Sequence, residues 1–464
     1  MMRGSRFVSL FLVIAFSIGL LTGCGGGKGT NESTAATTSA AAENSSAATT
    51  GANPAAEPRN IVLWHSFTQE DRGAAVKEMA DKFAAANPGV KFEIEVFPWA
   101  TFHTKWTTGL NAGALPDVST ALPDEATMMA QSDALLPMDD LVADMGADAF
   151  LEKPLQALTY KGKLIAVPYY AHARILWYRT DLLSAKGINP PKTLDELMSA
   201  VKQVNNPPEV YGMAIPLSKN DYLGTLWLYI ISKNMGGHML KEDGKVDLTS
   251  PTMIKAITYI TDLFKAGSPE GAINYADAEI NDAFVSGKSA FFFESGFAVN
   301  RVETGNPAIA DKIAAIYPPT EKEGDPVGWM ADYISIVRWK TSKNADLTKD
   351  FVKSMYEPAN YIKFLHLVPG GMLPTLKSVA DSQEFYNNDI IQKHIEDIKK
   401  IQQGVANGCP LGADFGPNAA INILKNQRIV EELLQEIVLG EKDIPKVAKA
   451  AEDKLNAEIS KLNK

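Results

Sequence analysis

From Asn60 onwards the apolar positions repeat first with the period of a strand and then with that of a helix, and the elements can be read from each switch. Ile61-Val62-Leu63-Trp64 is a continuous apolar run that predicts a buried strand, ended by a turn at His65-Ser66-Phe67. Val76, Met79, Ala80, Phe83 and Ala84 then recur at helical spacing, which predicts a helix with one apolar stripe, stopped by Asn87-Pro88-Gly89. Thr68 and Asp71 have the spacing of a capping box at its start. Clean alternation follows: Val90, Phe92, Ile94 and Val96 share one face, and Lys91, Glu93 and Glu95 the other, as in a half-buried strand. A helical segment from Pro98-Trp99 to about Asn111 and a short strand opened by Leu115-Pro116-Asp117-Val118 complete the succession. Strand, helix, strand, helix, strand predicts a parallel α/β sheet, and ligands of such sheets bind beyond the carboxyl ends of the strands. Trp64, Trp99 and Asp124 are therefore expected on one rim.

The first 58 residues follow a different pattern. Arg3 and Arg6 precede an apolar run from Phe7 to Leu21, which is shorter than the roughly 20 residues of a membrane span and reads as a secretory signal peptide over residues 1–23. Leu21-Thr22-Gly23-Cys24 resembles the lipobox of bacterial lipoproteins, which implies cleavage before Cys24, lipidation of Cys24 and attachment to a membrane. Residues 25–58 are nearly all Gly, Ala, Ser, Thr and Asn, too polar to offset the entropy of ordering them. As a flexible coil this tether has an end-to-end distance of about 30 Å. With Cys24 committed to lipid, Cys409 is left without an intramolecular partner, so no disulfide framework is expected.

Composition narrows the functional classes. The 464 residues, 45% hydrophobic and 22% charged, are ordinary for a globular protein and too many for one typical domain. Without Arg3 and Arg6 the processed chain has 43 basic and 55 acidic residues, a formal charge of −12, which excludes nucleic acid as a natural partner. The six histidines, at 65, 103, 172, 238, 366 and 394, form no metal-ligand spacing, and the catalytic motifs of zinc peptidases, serine hydrolases and redox dithiols are missing. Gly287-Lys288-Ser289 fails as a phosphate loop because Asp282 stands where the earlier glycine is needed. No cofactor or metal is expected. A pair of glycosidase carboxylates far apart in the chain remains an open alternative, that of a tethered carbohydrate-active enzyme.

Several segments, taken in order, resemble family 1 extracellular solute-binding proteins, the maltose-binding-protein-like sugar receptors of ABC importers. They are Trp64-His65-Ser66, Asn87-Pro88-Gly89-Val90, Leu115-Pro116-Asp117-Val118, Gly162-Lys163 with Val167-Pro168-Tyr169, and Pro190 to Leu197. Further along, Ala283-Phe284-x-x-Gly287-Lys288-Ser289-Ala290, Trp329 to Val337 and Gly370-Gly371-x-Leu373-Pro374 continue the likeness. The resemblance implies a type II, two-lobed periplasmic-binding-protein-like α/β fold, each lobe a mainly parallel sheet flanked by helices, with the ligand cleft between. Lobe one is expected over 59–169 and 332–373 and lobe two over 170–331 and 374–464, with a first crossing near Pro168 to Ala171. The implied function is capture of a sugar or oligosaccharide by hinge closure and delivery to an ABC permease, by a monomer outside the cytoplasmic membrane that catalyses nothing.

A sugar cleft needs flat apolar faces and directional polar groups, which aromatics and carboxylates or amides supply. Of seven tryptophans, Trp64, Trp99 and Trp329 read as cleft residues, Trp227 equally as cleft or core, and Trp177 and Trp339 as packing. Asp124 fits either a rim ligand or a helix start, and Asp332 either a hydroxyl acceptor or a cap. Tyr170 and Arg174 flank the expected crossing. Glu294 and Gly296, in Phe293-Glu294-Ser295-Gly296, fall where the resemblance implies ligand contact. Gly370 and Gly371 suit close backbone approach to a ligand or a tight turn. Trp64-His65-Ser66 is also similar to the branch that binds glycerol 3-phosphate or its diesters, where His65 or Arg174 would meet the phosphate.

Overall fold

The apolar runs become strands of two separate sheets in the computed structural model, which describes residues 59–146 and 148–462. The signal peptide, Cys24 and the tether expected from the sequence lie outside the described residues. β1 (Arg59–His65), β2 (Val90–Val96) and β3 (Val118–Ala121) pair in parallel, linked by the helices Glu70–Ala86 and Trp99–Ala112. The first of these helices buries Ala75, Val76, Met79, Ala80 and Phe83, the expected stripe, and each large apolar side chain so buried contributes roughly 1.5–3 kcal/mol. Its expected capping box does not form: Gln69 is the N-cap, and Asp71 Oδ1 accepts from the neighbouring Arg72 N–H instead.

After the hairpin of β4 (Thr159–Tyr160) and β5 (Lys163–Leu164) comes β6 (Val167–Ala173), and a single residue, Arg174, separates it from β7 (Ile175–Arg179). β6 closes the first sheet and β7 belongs to the second, so the chain changes sheets at Arg174. β8 (Tyr211–Met213), β9 (Ser289–Glu294) and β10 (Ile313–Ile316) complete the second sheet, in the order β10-β7-β9-β8. β11 (Ala331–Arg338) then returns to the first, whose order is β2-β1-β3-β11-β6. The α/β class and the two-sheet organisation agree with expectation, but the pairing is more mixed than "mainly parallel". β11 is antiparallel to both β3 and β6, and β7 is antiparallel to both β9 and β10. The reason is connectivity: β6, β7 and β11 carry the chain out of one sheet or back into it, and so run against strands laid down by helical crossovers.

A third passage follows Leu373, which bridges to Ala171, and leads into helices that pack on the second sheet's side. Here two backbones touch. A β-carbon on Gly296 would lie 1.8 Å from the Gly370 carbonyl oxygen, and Gly370 itself holds φ +77°, so both positions are suited to glycine by packing and by conformation. The helix Ile395–Asn407 lies against β6 and β10, and so spans both sheets.

Candidate ligand-binding site

Where the chain changes sheets, alternation on two paired strands sets a floor. On β6, Tyr170 and His172 point to the same side, with Arg174 two residues further on; on antiparallel β11 their partners are Ile334 and Asp332. All five line a cavity of about 580 Å3, within the roughly 300–1,000 Å3 of small-molecule sites. Its wall on the first sheet's side comes from helix starts: Arg72 from Glu70–Ala86, Trp99 as the first residue of Trp99–Ala112, and Asp124 and Glu125 in the first turn of Pro123–Gln131. The opposite wall comes from Asn220, Asp221 and Tyr222 ahead of the helix Leu223–Asn234, and from Phe297 at the start of Phe297–Gly305. Asn422, Lys425 and Asn426 on Ala420–Gln427, with Arg428 just beyond, complete it. Two hollows of comparable size, about 610 and 620 Å3, are lined by neighbouring surface helices, one around Asp381, Tyr386 and Lys399 and one around Phe83, Asp350 and Tyr356.

Charge pairing gives the cavity its electrostatic frame. Lys425 Nζ reaches across to Asp124, 3.2 Å from Oδ1 and 3.0 Å from Oδ2, while also lying over the Tyr222 ring. Burial works against the lysine's charge, but Asp124 outweighs it and holds the pKa above the usual lysine range. Arg174 Nη1 stands 2.6 Å from Glu294 Oε2, with Arg301 3.4 Å from the same oxygen. Burial alone would raise the Glu294 pKa; Arg174 and Arg301 overcome it and bring it down to about 2. Glu125 has no cation in direct contact: burial, with Asp124 beside it, pushes its pKa to about 7, although its Oε2 accepts the Leu122 N–H at 2.9 Å and Lys425 acts on it from beyond Asp124. Burial also lowers the His172 pKa, so this ring is neutral at physiological pH.

Polar capacity is left over in this frame. His172 Nδ1, Arg72 Nε, Arg174 Nε, Asn422 Nδ2 and Arg428 Nη1 are buried and make no hydrogen bond within the protein. The Asp332 carboxylate makes no hydrogen bond or ion pair among the described residues. Such groups next to the faces of Trp99, Tyr170, Tyr222 and Phe297 suit a polyhydroxylated solute, whose C–H faces stack while its hydroxyls donate and accept.

Of the residues singled out in the sequence, the structure brings Trp99, Asp124, Tyr170, Arg174 and Asp332 together in the cavity wall. The others stand elsewhere. Trp64 is 3% exposed, roofed by the helix Trp99–Ala112, its indole N–H donating to Glu95 Oε1 at 2.8 Å and its ring beneath Lys105. His65 and Ser66 are buried in the turn; the Phe67 N–H donates to His65 Nδ1, and burial lowers that histidine's pKa to about 4. Trp227 takes the core alternative, edge-on to Phe293 and fully buried. Trp329 packs edge-on to Tyr317 and against Gly404, covering the crossing. Glu294 lies behind the wall as the counter-charge of Arg174, and Gly296, Gly370 and Gly371 serve backbone approach, Gly371 lying under the Phe297 ring. The sequence reading missed Arg72, Tyr222, Phe297, Lys425 and Arg428. Phe297 had a signal in directly following Glu294-Ser295-Gly296, whereas Lys425 sits on an amphipathic helix whose polar face reads as solvated.

A model of the bacterial extracellular solute-binding protein family matches residues 67–362. A putative ABC transporter periplasmic-binding protein, YcjN of Escherichia coli (strain K12), is 24% identical over 404 residues, 86% of this chain and 92% of its own. The fold is similar to that of an ABC transporter solute-binding protein from Thermotoga lettingae TMO bound with α-D-tagatose, with TM-score 0.72 and 21% identity over 86% of this chain and 100% of that one. It is also similar to a sugar transporter from Arthrobacter chlorophenolicus A6 with bound laminaribiose, with TM-score 0.70 and 19% identity over 86% and 99% of the two chains.

Proposed function

The chain belongs to the bacterial extracellular solute-binding protein family, and from that membership we propose that it captures a small carbohydrate between its two sheets and passes it, unaltered, to an ABC permease. The observation that carries the reading is the cavity at the sheet change, where four aromatic residues stand among carboxylates, amides and buried donors without partners. The two walls belong to sheets joined through few crossings, so closure about those crossings brings Asn220, Tyr222 and Lys425 onto a solute already resting on Trp99 and Tyr170. Contacts made only in the closed form shift the equilibrium towards it by that differential affinity. In the same reading lobe one spans 59–173 with 331–373 and lobe two 174–330 with 374–464, the expected bound at 169 moving a few residues to the sheet change at Arg174. Lipid on Cys24 and the tether keep the monomer near its permease, outside the cytoplasmic membrane.

The relatives' ligands, α-D-tagatose and laminaribiose, set the first panel for a thermal-shift screen. A solute that binds only the folded chain, at a hundred times its Kd, adds about 2.7 kcal/mol of stability and raises the melting temperature. No shift with any mono- or oligosaccharide would overturn the carbohydrate reading, and steady release of cleaved product would overturn the receptor reading.

A further inference from the structure

We propose that the solute this cavity selects carries a carboxylate, an acidic sugar of the uronate kind, held between Arg72 from one wall and Arg428 from the other. The proposal rests on the carbohydrate reading above and names its ligand class.

Four cationic side chains line the cavity, and they are not equivalent. Arg174 and Lys425 already have their counter-charges in Glu294 and Asp124, at 2.6 and 3.0 Å. Among the described residues, neither Arg72 nor Arg428 makes an ion pair. Arg72 reaches only neutral groups, Gln69 and the Tyr170 hydroxyl, and Arg428 lies 5.9 Å from the Tyr222 ring centre. Yet both guanidinium groups have a buried N–H without an acceptor, Nε in Arg72 and Nη1 in Arg428. A buried donor without an acceptor is costly, and a charged one more so, unless a ligand supplies the acceptor.

The acceptors of the wall are mostly spent. Asp124 is held by Lys425, Asp221 accepts the backbone N–H groups of Tyr222 and Asp277, and Glu125 that of Leu122. Of the wall's carboxylates among the described residues, Asp332 is left to receive hydroxyls, beside the amide oxygens of Asn220, Asn422 and Asn426. A neutral sugar would satisfy Asp332 and stack on Trp99, but its hydroxyl oxygens are weak acceptors for two guanidinium groups. A carboxylate is planar and delocalised, and matches the guanidinium fork with two parallel N–H···O bonds. The position of Arg428 is also held firmly: it takes φ +55° between the helices Ala420–Gln427 and Ile429–Val438, a conformation that a non-glycine residue keeps only where the surroundings impose it.

Isothermal titration of the full chain with glucuronate and galacturonate against glucose and galactose, and against glucose 6-phosphate, tests the proposal without any substitution. The expected result is a uronate bound about tenfold or more tightly than its neutral counterpart, as charge-assisted bidentate pairing implies, and weakened by added salt. Arg72→Gln and Arg428→Gln, each shown to melt like the parent, should then weaken the uronate more than the neutral sugar, so that the ratio of the two affinities falls about tenfold, and an unchanged ratio would overturn the proposal. Neutral sugars bound as tightly as uronates, or the phosphate bound more tightly, would overturn the carboxylate and leave carbohydrate capture standing. Binding of no sugar at all would overturn both.

Discussion

Lys425→Met tests whether the cleft is closed by charge. The lysine and Asp124 meet from opposite walls at 3.0 Å, with side chains only 15% and 6% exposed, and methionine preserves the stem that lies over Tyr222 while deleting the ammonium. Asp124 is then left buried beside Glu125 with no cation in contact. Removing one partner of a buried ion pair costs about 3–5 kcal/mol, because the remaining charge is uncompensated. Here the protein can escape that cost by opening, which returns Asp124 to water, so the penalty falls on closure and not on the folding of either half. An equilibrium shifted by about 3 kcal/mol towards the open form weakens ligand binding by roughly 150-fold. Asp124→Asn should do the same from the other side, and the double variant Asp124→Asn/Lys425→Met should recover much of the loss, giving a coupling of about 2–4 kcal/mol in a double-mutant cycle. Titration calorimetry supplies the affinities, and small-angle scattering reports the opening directly. A Lys425→Met chain that binds within about twofold of the parent, with coupling under about 0.5 kcal/mol, would refute the reasoning.

Gly296→Ala should lower the melting temperature by several degrees, because the added carbon, 1.8 Å from a backbone oxygen, cannot be accommodated by a rotamer change and overpacking of this kind costs about 1–3 kcal/mol or more; an unchanged calorimetric transition would show that the two backbones do not touch. The pH dependence of stability should carry two opposing slopes. Glu125 keeps its proton to about pH 7 in the fold against 4.5 when unfolded, so the unfolded chain releases it first and stability falls as pH rises through that window. His65 binds its proton only near pH 4 in the fold against 6.5 when unfolded, so stability falls as pH drops from 6.5 to 4. Each gap corresponds to about 3 kcal/mol, so Glu125→Gln should gain up to that much on the parent between pH 4.5 and pH 8 in urea unfolding. A difference between the two proteins that does not vary with pH would remove the buried carboxyl from the account.

The fold was legible wherever a local period decided it. The stripe Val76, Met79, Ala80, Phe83 and the alternation Val90 to Val96 are short-range facts, and they became the helix and strand they describe. The direction of β11 was not legible in the same way, because nothing within Ala331–Arg338 states that the chain arrives from another sheet. The same limit applies to the site. Tyr170, Arg174, Trp99 and Asp332 stand close to strand ends and crossings, and a topological argument reaches them. Lys425 is 301 positions from the carboxylate it pairs with, and no periodicity spans that interval.

Trp64 and Trp99 show why a correct topology still misassigns a side chain. Both follow from the rule that ligands gather beyond the carboxyl ends of parallel strands, and both are aromatic. But Trp64 is still within β1, so the helix that starts at Trp99 passes over it and Glu95 takes up its only donor. Trp99 begins that helix and is itself half-exposed at the rim. What separates them is whether the next helix covers the residue or starts at it, and whether its polar atom already has a partner. The first test puts Trp227 in the core too, since neighbours enclose it and its indole faces aromatic rings, although its indole N–H has no acceptor within the protein. Arg72 and Arg428 pass both: each borders the cavity and each retains a buried donor with no acceptor from the protein. Unmet hydrogen-bonding capacity marks the wall of this cleft when it is joined to a place on the cavity, since His65 Nε2, Ser66 Oγ and Trp227 Nε1 are equally without partners and lie in the core.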